Sequence, residues 1–167
     1  MGALDSQIDR LKSAAAGIVA MRPAVEAGAP WPLADVYGVE PEASWGPPEL
    51  LAHVEEYLRY WMGEIERVVG SDGSAPVPFG RVASDSVRLG VIGRDRSLPL
   101  RELFARIEAD AARVADRLGE LGEAEASRVG VHPARGEMTV RDMLEPFLAG
   151  HSEGHLAQLR EILAARS

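Results

Sequence analysis

VRDMLEPFLAGHSEGHLAQLREIL, residues 140–163, is the most apolar helix-like stretch of the chain and carries His151 and His155, four residues apart. On an α-helix that spacing is one turn plus about 40°, with a rise of about 6 Å. Both imidazoles therefore leave one face, one turn apart, where two side chains can grip one ion. That face is the inner one: Val140, Leu144, Phe147, Leu148, Leu159 and Ile162 recur at three- and four-residue steps, and the histidines fill the gap in the stripe. Two imidazoles among Leu and Phe cost free energy unless each nitrogen finds a partner, and a metal ion satisfies both at once.

A second helical stretch, PPELLAHVEEYLRYWMGEIERVV (residues 47–69), supplies His53. Its inner stripe is Leu50, Val54, Leu58, Trp61 and Ile65, and His53 sits about 60° from Leu50, on the shoulder that can point into a bundle. Two histidines from one helix and one from another make a facial set of three nitrogens. Three protein ligands with open positions describe a catalytic metal site rather than a closed structural one. Imidazole suits Zn, Ni, Fe and Mn, so the identity of a divalent ion stays open.

The whole chain bounds the reading. Its 167 residues make one domain, 1–167, with 46% hydrophobic and 26% charged residues, as in an ordinary globular protein. A formal charge of −8 with Lys12 as the only lysine speaks against a nucleic-acid partner. No run of 18 apolar residues predicts a membrane span, and MGALDSQIDRLK lacks the order of a signal peptide, so a cytoplasmic location is expected. Without cysteine there is no disulfide, no thiolate zinc site and no thiol nucleophile from the protein itself.

Four helical stretches and no convincing strand emerge along the chain. The first runs from about Asp5 to Met21 and ends before Arg22-Pro23, with a Pro/Gly-rich loop after it (AGAPWPLADVYGVEPEASWG). The second opens on Pro47-Pro48 and stops at Gly70. The third spans roughly Leu98 to Leu121 with Ser97 as its cap. The fourth begins at Thr139, which caps with Asp142, and Pro146 inside it predicts a kink. Gly150 and Gly154 thin this helix beside the histidines, for close packing or for room around an ion. Four amphipathic helices predict an all-α four-helix bundle. The connection from Ser71 to Arg96 is too long for a tight turn and predicts a crossover, with room for a short helical turn.

Residues 44–58, SWGPPELLAHVEEYL, followed by HPARGEMTVRDMLEPFLAGHSEGHLAQLREIL, residues 132–163, resemble the DinB/YfiT-like superfamily. The pattern is a Trp shortly before a helix with one histidine, then a last helix with HxxxH and a Gln three residues on. Here these are Trp45, His53, His151, His155 and Gln158. The stretch from His132 to Thr139 also matches the loop leading into the last helix in one branch. The resemblance runs through all four helices. It implies an up-up-down-down bundle, a divalent metal on the three histidines, and often a homodimer. Members include metal-dependent thiol S-transferases that use bacillithiol or mycothiol and a mycothiol-dependent isomerase. A small-molecule substrate and a low-molecular-weight thiol are the partners so implied.

Two reaction classes fit an ion on three neutral imidazoles, which can bring bound water to a pKa of about 7 and deprotonate a coordinated thiol. One is hydrolysis; the other is thiol transfer, which needs a small-molecule thiol and no protein base. A non-catalytic metal- or ligand-binding module is the third alternative. Gln158 lies about 20° from His151 and can bond a ligand or substrate. Tyr57 and Tyr60 follow His53 by one and two turns and read first as core or rim aromatics. Glu56 and Glu153 read as solvated carboxylates or partners of an imidazole N–H ahead of general bases. His132, before Pro133, reads as a loop brace ahead of a pocket wall. Trp31, Trp45 and Trp61 read as core anchors. Arg59, Arg81, Arg88 and Arg94 are candidates for a thiol's carboxylates, and Arg81 and Arg88 read as loop residues in solvent ahead of closing a pocket over an anion.

Overall fold

The computed structural model describes residues 2–35 and 41–166. Four long helices carry it: α1 (Asp5–Ala20), α3 (Pro47–Val69), α5 (Leu100–Gly119), and a last helix that begins as α7 (Val140–Leu144) and ends as α8 (Gly150–Arg166). Shorter helices join them: α2 (Arg22–Ala27), α4 (Ser86–Asp95) and α6 (Glu123–Ala126). α2 thus carries the helical chain past Arg22-Pro23 to the start of the expected Pro/Gly-rich loop, whose described part holds a 3₁₀ turn, Pro41–Ser44; residues 36–40 of that loop lie outside the described residues.

Three sets of contacts fix how the long helices run. Glu55–Arg106, Arg59–Asp110 and Glu66–Arg117 pair α3 with α5 at one constant offset, so these two helices are parallel. Arg10 reaches both Glu145 and Glu153, and Gly17 packs against Leu156, so α1 runs parallel to the last helix. His53 lies against His155 and Trp61 against Phe147, so α3 and the last helix are antiparallel. The bundle with a long crossover is as expected, but its directions in chain order are up, down, down, up. The up-up-down-down order implied by the resemblance places the parallel neighbours elsewhere; here the parallel pair joined by the crossover is α3 and α5.

A parallel neighbour requires the chain to travel back along the bundle before it can start α5. Residues 70–99 do so, and α4 packs on α3 along the way. As a result α3 is buried on every side from Pro47 to Leu58, including Glu49, His53, Glu55 and Glu56. Asp85 caps α4 by accepting a hydrogen bond from the Arg88 amide at 2.9 Å.

Three strands appear where none was expected. β1 (Val77–Pro78) pairs in parallel with β2 (Val129–His132), and β2 pairs antiparallel with β3 (Gly136–Thr139). Strands of two and four residues are too short to show an alternating pattern, which is why the sequence did not betray them. The sheet ties the start of the crossover to the hairpin that feeds the last helix. α5 also differs at its start: Pro99, extended at ψ 135°, precedes it without a side-chain cap, in place of Ser97. The Thr139–Asp142 capping box forms as expected, at 3.1 and 3.0 Å.

Pro146 does more than kink the last helix. Residues Glu145–Ala149 open into one π-turn, and the Gly150 amide donates to the Glu145 carbonyl. A π-turn takes more residues per turn than an α-turn, so it re-phases everything beyond it, the histidines included. A Cβ at Gly150 would stand 2.7 Å from that carbonyl, so the turn closes only on glycine.

Gly80 is constrained twice. Its φ is +88°, and a Cβ there would meet His132 Cδ2 at 2.4 Å. Gly80→Ala should therefore cost about 1–3 kcal/mol, lowering the thermal midpoint by about 2–4 °C per kcal/mol. Gly63→Ala, on an exposed face of α3 with no atom within 4 Å of its added Cβ, should instead stabilise by up to about 1 kcal/mol. Differential scanning calorimetry of both variants checks the contrast.

Candidate metal centre

Helix geometry brings the three histidines to one point. His53 Nε2 is 3.2 Å from His151 Nε2, which is 2.8 Å from His155 Nε2. One ligand atom from each lies within 4.8 Å of the others. His53 and His155 are buried and His151 nearly so. Burial is the first cause that lowers the pKa of all three; neighbouring histidines add to it for His53 and His151, and the latter falls to about 3. The rings are therefore neutral at ordinary pH, the form that ligates a metal.

The backs of the rings are held. His155 Nδ1–H donates to Gln158 Oε1 at 3.0 Å, and the Gln158 amide nitrogen donates to the Glu42 carbonyl at 2.8 Å. That orientation leaves His155 Nε2 as a bare lone pair. Tyr57 stacks on His151 with centroids 4.4 Å apart, and its hydroxyl bonds Ser152. Trp45 meets His53 edge-on at 5.3 Å. His53 Nδ1 faces Glu56 Oε2 at 3.5 Å. Lone pairs converging at this distance repel unless a proton or a cation lies between them, so the donor set fits a metal ion.

A cleft of about 300 Å³ opens beside His53 and His151, walled by Trp61, Phe147, Arg81, Arg88, His132 and Arg135. Trp61 and Phe147 stack at 3.9 Å. A second, open groove reaches His151 and His155 over Gly150 and Gly154. Gly154 has no atom within 4 Å of the place a Cβ would take, which keeps that groove clear.

The remaining expected residues divide. Gln158 and Tyr57 touch the histidines. His132 both braces and lines: its Nδ1 accepts from the amides of Ala134 and Arg135 at 3.1 and 3.2 Å, its Nε2–H donates to the Arg81 carbonyl at 3.1 Å, and its ring walls the cleft. Tyr60 lies away from the histidines, half-buried beneath the Arg81 guanidinium at 3.6 Å, and burial is the main reason its pKa is pushed up to about 12. Glu153 is on the outer side of α8, paired with Arg10 at 2.6 Å, and takes no part in the centre. Glu56 is buried and paired with Arg81 rather than solvated. Arg81 and Arg88 are cleft walls, not free loop residues, because α4 and the sheet fold the crossover over α3. Arg59 and Arg94 are elsewhere, the former against Glu55 and Asp110 and the latter against Asp95. Trp31 is only half-buried, under Arg166, whereas Trp45 and Trp61 are core. Arg135, Glu42 and Ser152 had carried no sequence signal.

A helical bundle with three converging imidazoles at an open cleft defines a class of candidate metalloproteins. A model of the DinB superfamily matches residues 21–159, and the chain belongs to that superfamily. Its fold is similar to that of YfiT from Bacillus subtilis, described as a probable metal-dependent hydrolase with an unusual four-helix bundle topology. The two superpose with a TM-score of 0.74 at 17% identity, over 97% of this chain and 86% of that one. No curated protein matches the sequence. Among the described residues, no helix is long and apolar enough to cross a membrane.

The depressed histidine pKa values set a pH dependence. An unfolded chain takes up protons at these imidazoles below about 6.5, whereas the folded one does not. Stability of the metal-free protein should therefore fall as pH drops from about 7 toward 4. Thermal unfolding across that range should show a shallower slope for a His53→Gln, His151→Gln, His155→Gln triple variant than for wild type.

Proposed function

We propose that this protein is a metal-dependent enzyme acting on a small anionic molecule, with transfer of a low-molecular-weight thiol to an electrophile as its reaction. His53, His151 and His155 would hold a divalent ion, with Zn, Ni, Fe and Mn all compatible with imidazole donors. Such an ion supplies Lewis acidity, drawing down the pKa of a thiol or water placed against it.

One observation carries the choice of thiol transfer: each candidate base read around the histidines is already held by another group. Both nitrogens of His132 are engaged, Tyr57 is bonded to Ser152, and Glu56 is bound by Arg81. A reaction that needs no protein base suits that setting. Overall, a carbon–sulfur bond forms, the leaving group departs with its electron pair, and the thiol proton passes to solvent. Hydrolysis is the second reading, favoured by the likeness to YfiT.

The cleft's charge supports an anionic substrate. Arg81 and Arg88 are balanced by Glu56 and Glu42, but Arg135 has no carboxylate partner among the described residues and lies 5.5 Å from the Phe147 ring. The stacked Trp61 and Phe147 add an apolar wall to the cleft that this cation and the histidines share. Access through the cleft and the groove favours catalysis over a sealed binding module.

Untagged protein should carry about one equivalent of metal, and His155→Ala should lose it. The loaded protein should conjugate chlorodinitrobenzene or monochlorobimane with at least one thiol from a cellular panel, and His155→Ala should slow this at least tenfold. Cleavage of ester or amide probes without conjugation would replace the reading with hydrolysis, and silence in both assays would leave a binding module.

A further inference from the structure

Two polar atoms behind the candidate metal centre have no hydrogen-bond partner although both are buried: His53 Nδ1 and Glu56 Oε2. They face one another at 3.5 Å from neighbouring positions, i and i+3, on α3. Buried donors and acceptors left unsatisfied are rare because each forfeits its water without compensation. Here a movement of a few tenths of an ångström satisfies both at once. The other oxygen of Glu56 is already held by the Arg81 guanidinium. Arg81 in turn lies over the Tyr60 ring at 3.6 Å, and its carbonyl accepts the Nε2–H of His132 at 3.1 Å. The carboxylate is thus clamped from behind by a residue that two further groups hold in place, and its free oxygen faces His53.

The requirement it meets comes from the histidine. An imidazole that gives Nε2 to a metal must carry its proton on Nδ1, and that proton needs an acceptor when the ring is buried. Gln158 serves His155 in this way at 3.0 Å. His53, at 1% exposure the more deeply buried of the two, faces no backbone carbonyl within hydrogen-bond reach at that nitrogen, and Glu56 is the group placed to serve it.

We propose that Glu56 is a positioning residue of the metal centre: its carboxylate accepts the Nδ1 proton of His53, fixes the ring as the tautomer with a bare Nε2, and is itself aimed by Arg81. This rests on the reading of His53, His151 and His155 as metal ligands. Glu56 touches neither substrate nor metal. A purely structural Glu56 would do no more than fasten the crossover to α3 through Arg81.

The two roles separate in the affinity for Co(II), measured on untagged protein by competition with a chromophoric chelator. Glu56→Leu should bind Co(II) about 10- to 100-fold more weakly than wild type, with Glu56→Gln, which keeps an acceptor oxygen, in between. Wild type and Glu56→Leu that bind Co(II) equally within about twofold, both folded by circular dichroism, would overturn the role of Glu56 alone. Wild type that is folded and takes up no Co(II) would overturn the metal reading and this inference with it. A second readout does not depend on any variant folding: nitrogen-15 spectra of the imidazoles in metal-free wild type should show His53 protonated at Nδ1. Protonation at Nε2 instead would overturn the proposal.

Discussion

A helix enclosed on every side must find a partner inside the protein for each polar group it carries, because burying a bare charge costs several kcal/mol even after relaxation. The first half of α3 is such a helix. Between Pro47 and Leu58 it holds Glu49, His53, Glu55 and Glu56, all buried. Each has drawn a cation or an imidazole from another element or from its own next turn: Arg96 for Glu49, Arg59 and Arg106 for Glu55, Arg81 for Glu56, and His151 for His53. Most of the interelement contacts that define the centre follow from this need.

The enclosure has a topological origin. Because α3 and α5 are parallel neighbours, the chain between them has to run the length of the bundle, and it does so across the side of α3 that an up-and-down arrangement would leave to water. α4 therefore packs on α3, and Arg81 and Arg88 come with it as walls of the cleft. The small sheet closes the far end by joining β1 of the crossover to the hairpin before the last helix. One connection thus does three things: it buries the acidic face of α3, supplies the cations that neutralise it, and shapes the space beside the histidines. α1 is fastened to the last helix by exposed pairs such as Arg10 with Glu145 and Glu153, where water screens the charges and little stability is at stake.

Much of this was legible in the chain. The three- and four-residue steps in residues 140–163 and 47–69 marked two helices and their inward faces, and the histidines stood on those faces. The capping box at Thr139 and the proline pair at Pro47 located helix starts within a residue. Gln158 could be placed beside the histidines by helix angle alone, and it bonds His155. Angle failed where its premise failed. The wheel assumes a uniform turn and a solvent side, and the π-turn at Glu145–Ala149 breaks the first while α4 breaks the second. Angle accordingly could not separate Glu56 from Glu153: both read as solvated carboxylates or partners of an imidazole, and it is Glu153 that is solvated and paired with Arg10.

By itself the sequence determined what depends on neighbours within a few residues: helix extents, caps, the pairing of His151 with His155 on one turn, and the residue types that ligate a metal. The tertiary structure alone decided what depends on neighbours far along the chain. That includes the parallel course of α3 and α5, the strand pairing of Val77 with Gly130, the burial of Glu55 and Glu56, and the arrival of Arg81, Arg88 and Arg135 at one cleft. The physical reason is the range of the forces involved. Backbone hydrogen bonds and side-chain periodicity act over one or two turns, whereas desolvation depends on whatever other segment comes to lie on top, and nothing in a residue's own stretch of chain encodes that.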